Sequence, residues 1–159
     1  MSLSALAIAT GIAALSITDP TTGYPIIVRD VTAIPEQVQA RDCPILFPHP
    51  NTWIGGANDE PTNGPASFGT PTTRFWLFGR KFQYVYLHTP VGSKRGLVDI
   101  IAPMSGNVDA IMTAITTLDL STVDVKSVGC SAFGVLTDPS SGKFFGCYID
   151  ITLRERLNQ

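Results

Sequence analysis

Charge, thiols and imidazoles are all scarce in this chain. Of its 159 residues only 15% are charged, three are cysteine and two are histidine. The 11 Lys and Arg and 13 Asp and Glu form no long run. No basic stripe is therefore present to neutralise a row of phosphates, which argues against a sequence-specific nucleic-acid binder. Cys43, Cys130 and Cys147 are odd in number and lack CxxC spacing, so neither a disulfide framework nor a zinc knuckle is indicated, and a reduced, intracellular setting is the simpler reading. GxxxxGK[ST], GxGxxG and HExxH are all missing. The nearest approach to a nucleophile elbow, Gly129-Cys130-Ser131, lacks the second glycine. With only His49 and His88 to offer, a structural zinc would need ligands from distant parts of the chain.

What is present is apolar and broken by turns. Hydrophobic residues make up 44%, and the 14 glycines and 12 prolines are scattered rather than periodic, which excludes disorder and fibrous repeats and leaves a loop-rich single domain over residues 1–159. A lone soluble domain usually carries about 25% charged residues, so the shortage implies that other protein covers part of the surface. The N-terminus, MSLSALAIATGIAALSITDP, has no Lys or Arg before its apolar run and no charge before Asp19, and it falls short of the roughly 20 apolar residues that cross a bilayer. A signal peptide or anchor is not expected. Leu3, Leu6, Ile8, Ile12, Leu15 and Ile17 recur near the helical period, predicting a short buried or interface helix that stops near Thr18.

Further along, the β-branched run PIIVRDVTAI (25–34) reads as a strand, PEQVQARD (35–42) as a polar connection with a helical turn opened by Pro35, and CPILFP as a short strand kept at a sheet edge by its prolines. GGANDEPTNGPASFGTPTT (55–73) has no apolar period and reads as a long loop of the kind that is either functional or waiting for a partner. RFWLFGRKFQYVYLHTP gives the strongest strand signal. Trp76, Phe78, Phe82, Tyr84 and Tyr86 share one pleat face and Phe75, Leu77, Val85 and Leu87 the other, which makes the strand central, with Gly79 as a possible bulge. The next helix is predicted from about Asn107, as N-cap, to Leu118, with Val108, Ile111, Met112, Ile115 and Leu118 buried; GLVDIIAP before it is ambiguous. The C-terminal stretch reads as a hairpin turning at 138–142. In its second arm Phe145, Cys147, Ile149, Ile151 and Leu153 alternate with Tyr148, Asp150, Thr152 and Arg154. The fold class that results is α+β: a mainly antiparallel sheet with one or two helices on one face and a long Gly/Pro-rich loop.

Candidate chemistry is thin. Cys43 and His49 are six positions apart, so in an extended segment they share a face but stand about 20 Å from one another, beyond hydrogen-bond reach. Burial of the cysteine is the commoner outcome. His88 at a strand end reads as a surface or packing residue, and Asp59-Glu60 as solvated loop charge rather than a cation site. No catalytic residue, cofactor or metal is predicted. The loop and the hairpin turn are the predicted contact regions: Asn58, Asp59, Glu60, Asn63 and Phe68 in the first, Asp138, Ser140, Ser141 and Lys143 in the second.

The order of these segments, CPILFP, a polar loop, RFWLFGRKFQYVYL, NVDAIMTAITTL and a hairpin ending CYIDITLRE, resembles the tail-terminator proteins of long-tailed bacteriophages over nearly the whole chain. The resemblance implies a virion protein of the neck, assembled in the host cytoplasm as a homo-oligomeric ring, expectedly a hexamer. Such a ring caps the tail tube and offers its other face to the head connector or stopper, while DNA passes through unread; no membrane is involved. Related head-completion and tail-tube proteins share much of the pattern. The reading from another class is a small ligand-binding or hydrolytic α+β domain using the aromatic strand with Cys43, His49 or His88.

Overall fold

Two strands of 16 residues dominate the molecule, Phe75–Pro90 and Lys143–Asn158, paired antiparallel from Phe75↔Asn158 to Pro90↔Phe144. The computed structural model describes residues 5–50, 57–58, 62–63, 75–92, 96–120 and 123–158. In chain order these form α1 (Ala5–Ala13), β1 (Ile27–Val28), a 3-10 turn (Ala40–Asp42), β2 (Ile45–Pro48), β3 (Ala57–Asn58), β4 (Thr62–Asn63), β5 (Phe75–Pro90), α2 (Leu97–Thr116), β6 (Val123–Cys130), β7 (Gly134–Thr137) and β8 (Lys143–Asn158). One sheet runs β1-β2-β5-β8-β6, with β3 and β4 also pairing with β5, and β7 with β8. Among the described residues only β1 and β2 pair in parallel, so the expected α+β, mainly antiparallel architecture is what the chain adopts.

The helices lie on one face. The pleat sends Phe145, Cys147, Ile149, Ile151 and Leu153 of β8 and Phe82, Tyr84 and Tyr86 of β5 into one cluster with Ile100, Met104, Val108, Ile111 and Ile115 of α2 and Ile8 and Ile12 of α1. Burying each such side chain is worth roughly 1.5–3 kcal/mol. The other face holds a smaller cluster, Ile45, Phe47, Val85, Leu87 and Phe144, roofed by Val38 and Ile34 from the irregular 30–42 segment. The alternation expected in the second hairpin arm is thus realised, and so is the two-faced burial of β5 over Phe82–Leu87. Val98–Thr116 is long and apolar enough to cross a membrane, but its stripe is spent on this sheet.

Several local expectations give way to tertiary structure. The first helix ends at Ala13 rather than near Thr18, because residues 17–26 fold back on themselves: Ile26 N–H donates to Ile17 O (2.8 Å) and Asp19 N–H to Tyr24 O (2.9 Å). The expected 25–34 strand shrinks to Ile27–Val28, since Asp30 Oδ1 captures the N–H and hydroxyl of Thr32 at 2.8 and 2.6 Å and turns the chain out of the sheet. The helical turn of the polar connection forms at Ala40–Asp42, not at Pro35, where the Asp42 carboxylate accepts the Gln39 N–H at 2.9 Å. The 55–73 segment is not loop throughout, because Ala57–Asn58 and Thr62–Asn63 add to the edge of β5; its remaining positions lie outside the described residues.

The largest revision concerns α2. It begins at Leu97 with Gly96 as N-cap, runs through Pro103, and places Asn107 in mid-helix and fully buried, not at the N-terminus. Pro103 removes the hydrogen bond its N–H would have given to the Asp99 carbonyl and crowds that carbonyl with its ring, and Ile100, Met104, Val108, Ile111 and Ile115 supply a buried stripe that outweighs this cost. The first hairpin arm is likewise broken in two, β6 and β7, both of which pair with β8.

The register of β5 on β8 is unbroken through Gly79↔Arg154, so no bulge forms at Gly79. It shifts instead between Leu87 and Thr89, leaving His88 as the extra residue. Opposite stands Gly146, where an added Cβ would collide with the Tyr86 carbonyl oxygen. Only glycine permits this approach of the two backbones. Gly146→Ala is therefore expected to destabilise the protein by about 3 kcal/mol in equilibrium urea unfolding, whereas Gly129→Ala, which meets open space, should fall within about 1 kcal/mol of wild type.

Candidate functional site

The bulge aims His88 at a buried polar cluster that joins three elements. Tyr86 Oη lies 2.7 Å from His88 Nδ1, and Asn107 Nδ2 lies 2.9 Å from Tyr86 Oη and 3.4 Å from His88 Nδ1. Asn107 Nδ2 also donates to Asp19 Oδ2 at 3.2 Å, while Asp19 Oδ1 accepts the N–H groups of Thr21 (2.8 Å) and Thr22 (3.2 Å). Gly106, whose Cβ position would lie 3.2 Å from Pro20 Cγ, lets the 19–25 turn seat against the helix beside Asn107. A cavity of about 210 Å³ adjoins the cluster, bordered by Asp19, Pro44, His88, Thr89, Asp99 and Pro103.

Burial and hydrogen bonding set the charges. Burial pushes the Asp19 carboxyl up, but the hydrogen bonds from Thr21, Asn107 and Thr22 outweigh it and hold the group ionised below the ordinary range. Burial lowers the His88 pKa, and the Asp19 charge offsets this only in part, so the neutral imidazole is favoured relative to an ordinary histidine. Tyr86 is pushed up by burial and keeps its proton. The amide stands between carboxylate and imidazole, so this is a chain of hydrogen bonds rather than an Asp–His dyad. Asn107 Oδ1 is buried without a partner among the described residues, a position an internal water would satisfy.

A second concavity, of about 600 Å³, lies on the opposite face, floored by Phe47, Val85, Leu136 and Tyr148 and walled by Ile34–Glu36 and Thr137–Pro139. His49 packs there on Tyr148 with ring centroids 5.4 Å apart, and burial lowers its pKa. Cys43 stays at the start of β2, half-buried, its Sγ 3.8 Å from Gln39 O, and burial pushes the thiol up to about 12. Cys147, inside the helix-side core, is likewise pushed up to about 12 by burial.

The predicted contact residues divide. Asp138, Ser140, Ser141 and Lys143 are brought together at the β7–β8 turn, but Asp138 is buried and its carboxylate fully engaged: Oδ2 accepts the Val38 N–H at 2.9 Å, and Oδ1 the Ser140 N–H (3.0 Å), the Ser140 hydroxyl (2.9 Å) and the Gly142 N–H (2.7 Å). It ties the turn to the 30–42 roof and is not a free surface acid. Ser140, Ser141 and Lys143 are exposed, Ser141 at a left-handed φ of 71°. Asn58 pairs with Arg80 and Asn63 with Trp76 at the edge of β5, while Asp59, Glu60 and Phe68 lie outside the described residues. Sequence reasoning missed Asp19, Tyr86 and Asn107. The available signal was an asparagine on an otherwise apolar helical stripe, three residues after Met104 and four before Ile111.

Among the described residues, no three His, Cys, Asp or Glu side chains stand where they could hold one metal ion. Compared with models of known protein families and with curated proteins, the chain matches none.

Asp138→Ala should cost about 3 kcal/mol, because the buried Val38 N–H and the half-buried Gly142 N–H lose a charged acceptor; chemical denaturation measures it. Burial raises the Asp138 pKa, and the bonds from Val38, Ser140 and Gly142 outweigh that and lower it. Its contribution is therefore complete above the ordinary value of 3.8 and is lost as pH falls through the lower native value. A thiol reagent near neutral pH should modify the exposed Cys130 quickly and Cys147 only at the rate of unfolding, as mass spectrometry after timed quenching would record.

Proposed function

We propose that the chain is a structural subunit of the neck of a long-tailed bacteriophage, one that closes into a ring, ends growth of the tail tube and joins the tail to the head connector. The observation that supports this most is the length of the β5–β8 ladder relative to the helix packed on it. Sixteen residues of strand span about 50 Å. The 20 residues of α2 span about 30 Å. The α2 stripe packs on Phe82–Tyr86 and on Phe145–Leu153, and the backbone pairing runs on from Gly79↔Arg154 to Phe75↔Asn158, where β3, β4 and β6 pair as well.

In sequence that stretch of β5 reads FWLF, apolar on both pleats. A run apolar on both pleats needs cover on both faces of the sheet, which neighbouring subunits of a ring would supply. Repetition of one head-to-tail contact around an axis gives a closed ring. The exposed β7–β8 turn and the added edge strands β3 and β4 fit the contact regions such a ring needs, and a mildly acidic, patch-free chain would let DNA pass without holding it. Head-completion and tail-tube proteins of similar build are variants of this reading. The concavity over Phe47, Val85 and Tyr148 favours a different one, a small ligand-binding domain.

Light scattering and negative-stain imaging of the purified chain separate the readings. Closed rings, with Lys143→Glu weakening assembly while leaving the subunit's thermal midpoint unchanged, are the expected result. A stable monomer at micromolar concentration that binds a small molecule saturably would replace the assembly reading with the ligand-binding one.

A further inference from the structure

The polar cluster carries an inference independent of the assembly reading. Tyr86 Oη and Asn107 Nδ2 both converge on His88 Nδ1, at 2.7 and 3.4 Å. Tyr86 accepts one hydrogen from Asn107, so its own hydrogen has His88 Nδ1 as its acceptor, which assigns the ring proton to Nε2. The only site left for a second proton is then Nδ1, the atom already taken. A protonated Nδ1 must donate where Tyr86 now donates. The phenol hydrogen is displaced, and the Asn107 amide hydrogens face a cation. Asn107 is also the side chain that grips Asp19, whose carboxylate organises the turn from Asp19 to Tyr24.

We propose that His88 is a proton-operated release for the N-terminal segment: protonation at Nδ1 breaks the Tyr86–Asn107–Asp19 clasp and frees residues 17–26 from α2. The adjoining cavity of about 210 Å³ gives the half-buried ring a route to solvent. The groups that surround it are Tyr86 on its own strand, Asp19 on the turn, and Asp99 and the neutral Asn107 on α2, with the thiols of Cys43 and Cys147 next to Tyr86. Asp19 and Asp99 attract an imidazolium and work against the release. Desolvation of the ring works for it and is the larger effect on His88. With the folded-state pKa below the ordinary 6.5, neutral His88 stabilises the fold above that value, and the contribution drains away as pH falls through 6.5 toward the native value.

The test uses the full chain, with histidine NMR titration, thermal unfolding and amide hydrogen exchange followed from about pH 7.5 to about pH 5.5. Expected is a fall in the unfolding midpoint of at least about 2 °C. Faster exchange of the Gly23 and Ile26 amides should track the His88 titration while the Ile149 and Ile151 amides stay protected. His49→Gln keeps this response and His88→Gln abolishes it. A flat midpoint, a fall that persists in His88→Gln, or slower exchange of Gly23 and Ile26 in acid would overturn the proposal. If His88→Gln does not fold, the wild-type comparison of the His88 and His49 titrations with the Gly23 exchange profile decides alone.

Discussion

The backbone ladder between β5 and β8 is the constraint on which the other elements depend, because the remaining strands pair through it and most of them are too short to persist without it. β1, β3 and β4 have two residues each and β2 and β7 four. β2, β3 and β4 hydrogen-bond to β5, while β6 and β7 hydrogen-bond to β8. The α2 stripe packs on side chains that only the paired strands hold in one plane. Strands so short contribute little alone, so their pairing follows from the ladder rather than producing it. Gly146 is where the ladder is most tightly specified: with no side chain there, the strands close on Tyr86, and the register slips by one residue at His88. The same slip that keeps the strands in contact turns an imidazole toward Asn107. The polar cluster is thus a consequence of the fold's central pairing and not an addition to it.

Much of this architecture is legible in the residues. Long runs of alternation leave one consistent solution, so β8, Phe82–Leu87 of β5 and the turn at Asp138 follow from pattern alone. Short elements were not legible. Ile27–Val28 belongs to a β-branched run that looked longer, until the Asp30 carboxylate bent the chain by binding Thr32. Pro103 reads locally as a helix breaker, yet the packing of Ile100 and Met104 carries the helix through it. Asn107 was read by its capping propensity, whereas its partners, Asp19 and Tyr86, are 88 and 21 positions away and no local rule could supply them. Asp138 was correctly placed in a turn but read as a surface group; its acceptor role toward Val38, 100 positions away, is tertiary.

The functional reading is consistent with the same physics. A chain with 15% charged residues carries less charge than a lone soluble domain usually does, and its 16-residue ladder is longer than the 20-residue helix packed on it. In the proposed assembly, copies of the chain would cover one another's apolar surface, and a ring is the closed form of a repeated contact. On that proposal the molecule combines a long two-stranded spine, an exposed β7–β8 turn for contact, and a polar clasp at one end of the spine centred on one imidazole. The second-face concavity over Tyr148 is a place where a partner's side chains or a small ligand would be accommodated.

The claim most exposed to test is that the β5–β8 pairing holds the rest together. Native-state hydrogen exchange of the full chain measures it residue by residue. The account predicts that the slowest amides are those of Phe82–Leu87 and Phe145–Leu153, exchanging only with global unfolding, and that α2 opens at lower free energy. Slowest exchange in α2, with the ladder amides opening locally beneath it, would contradict the account.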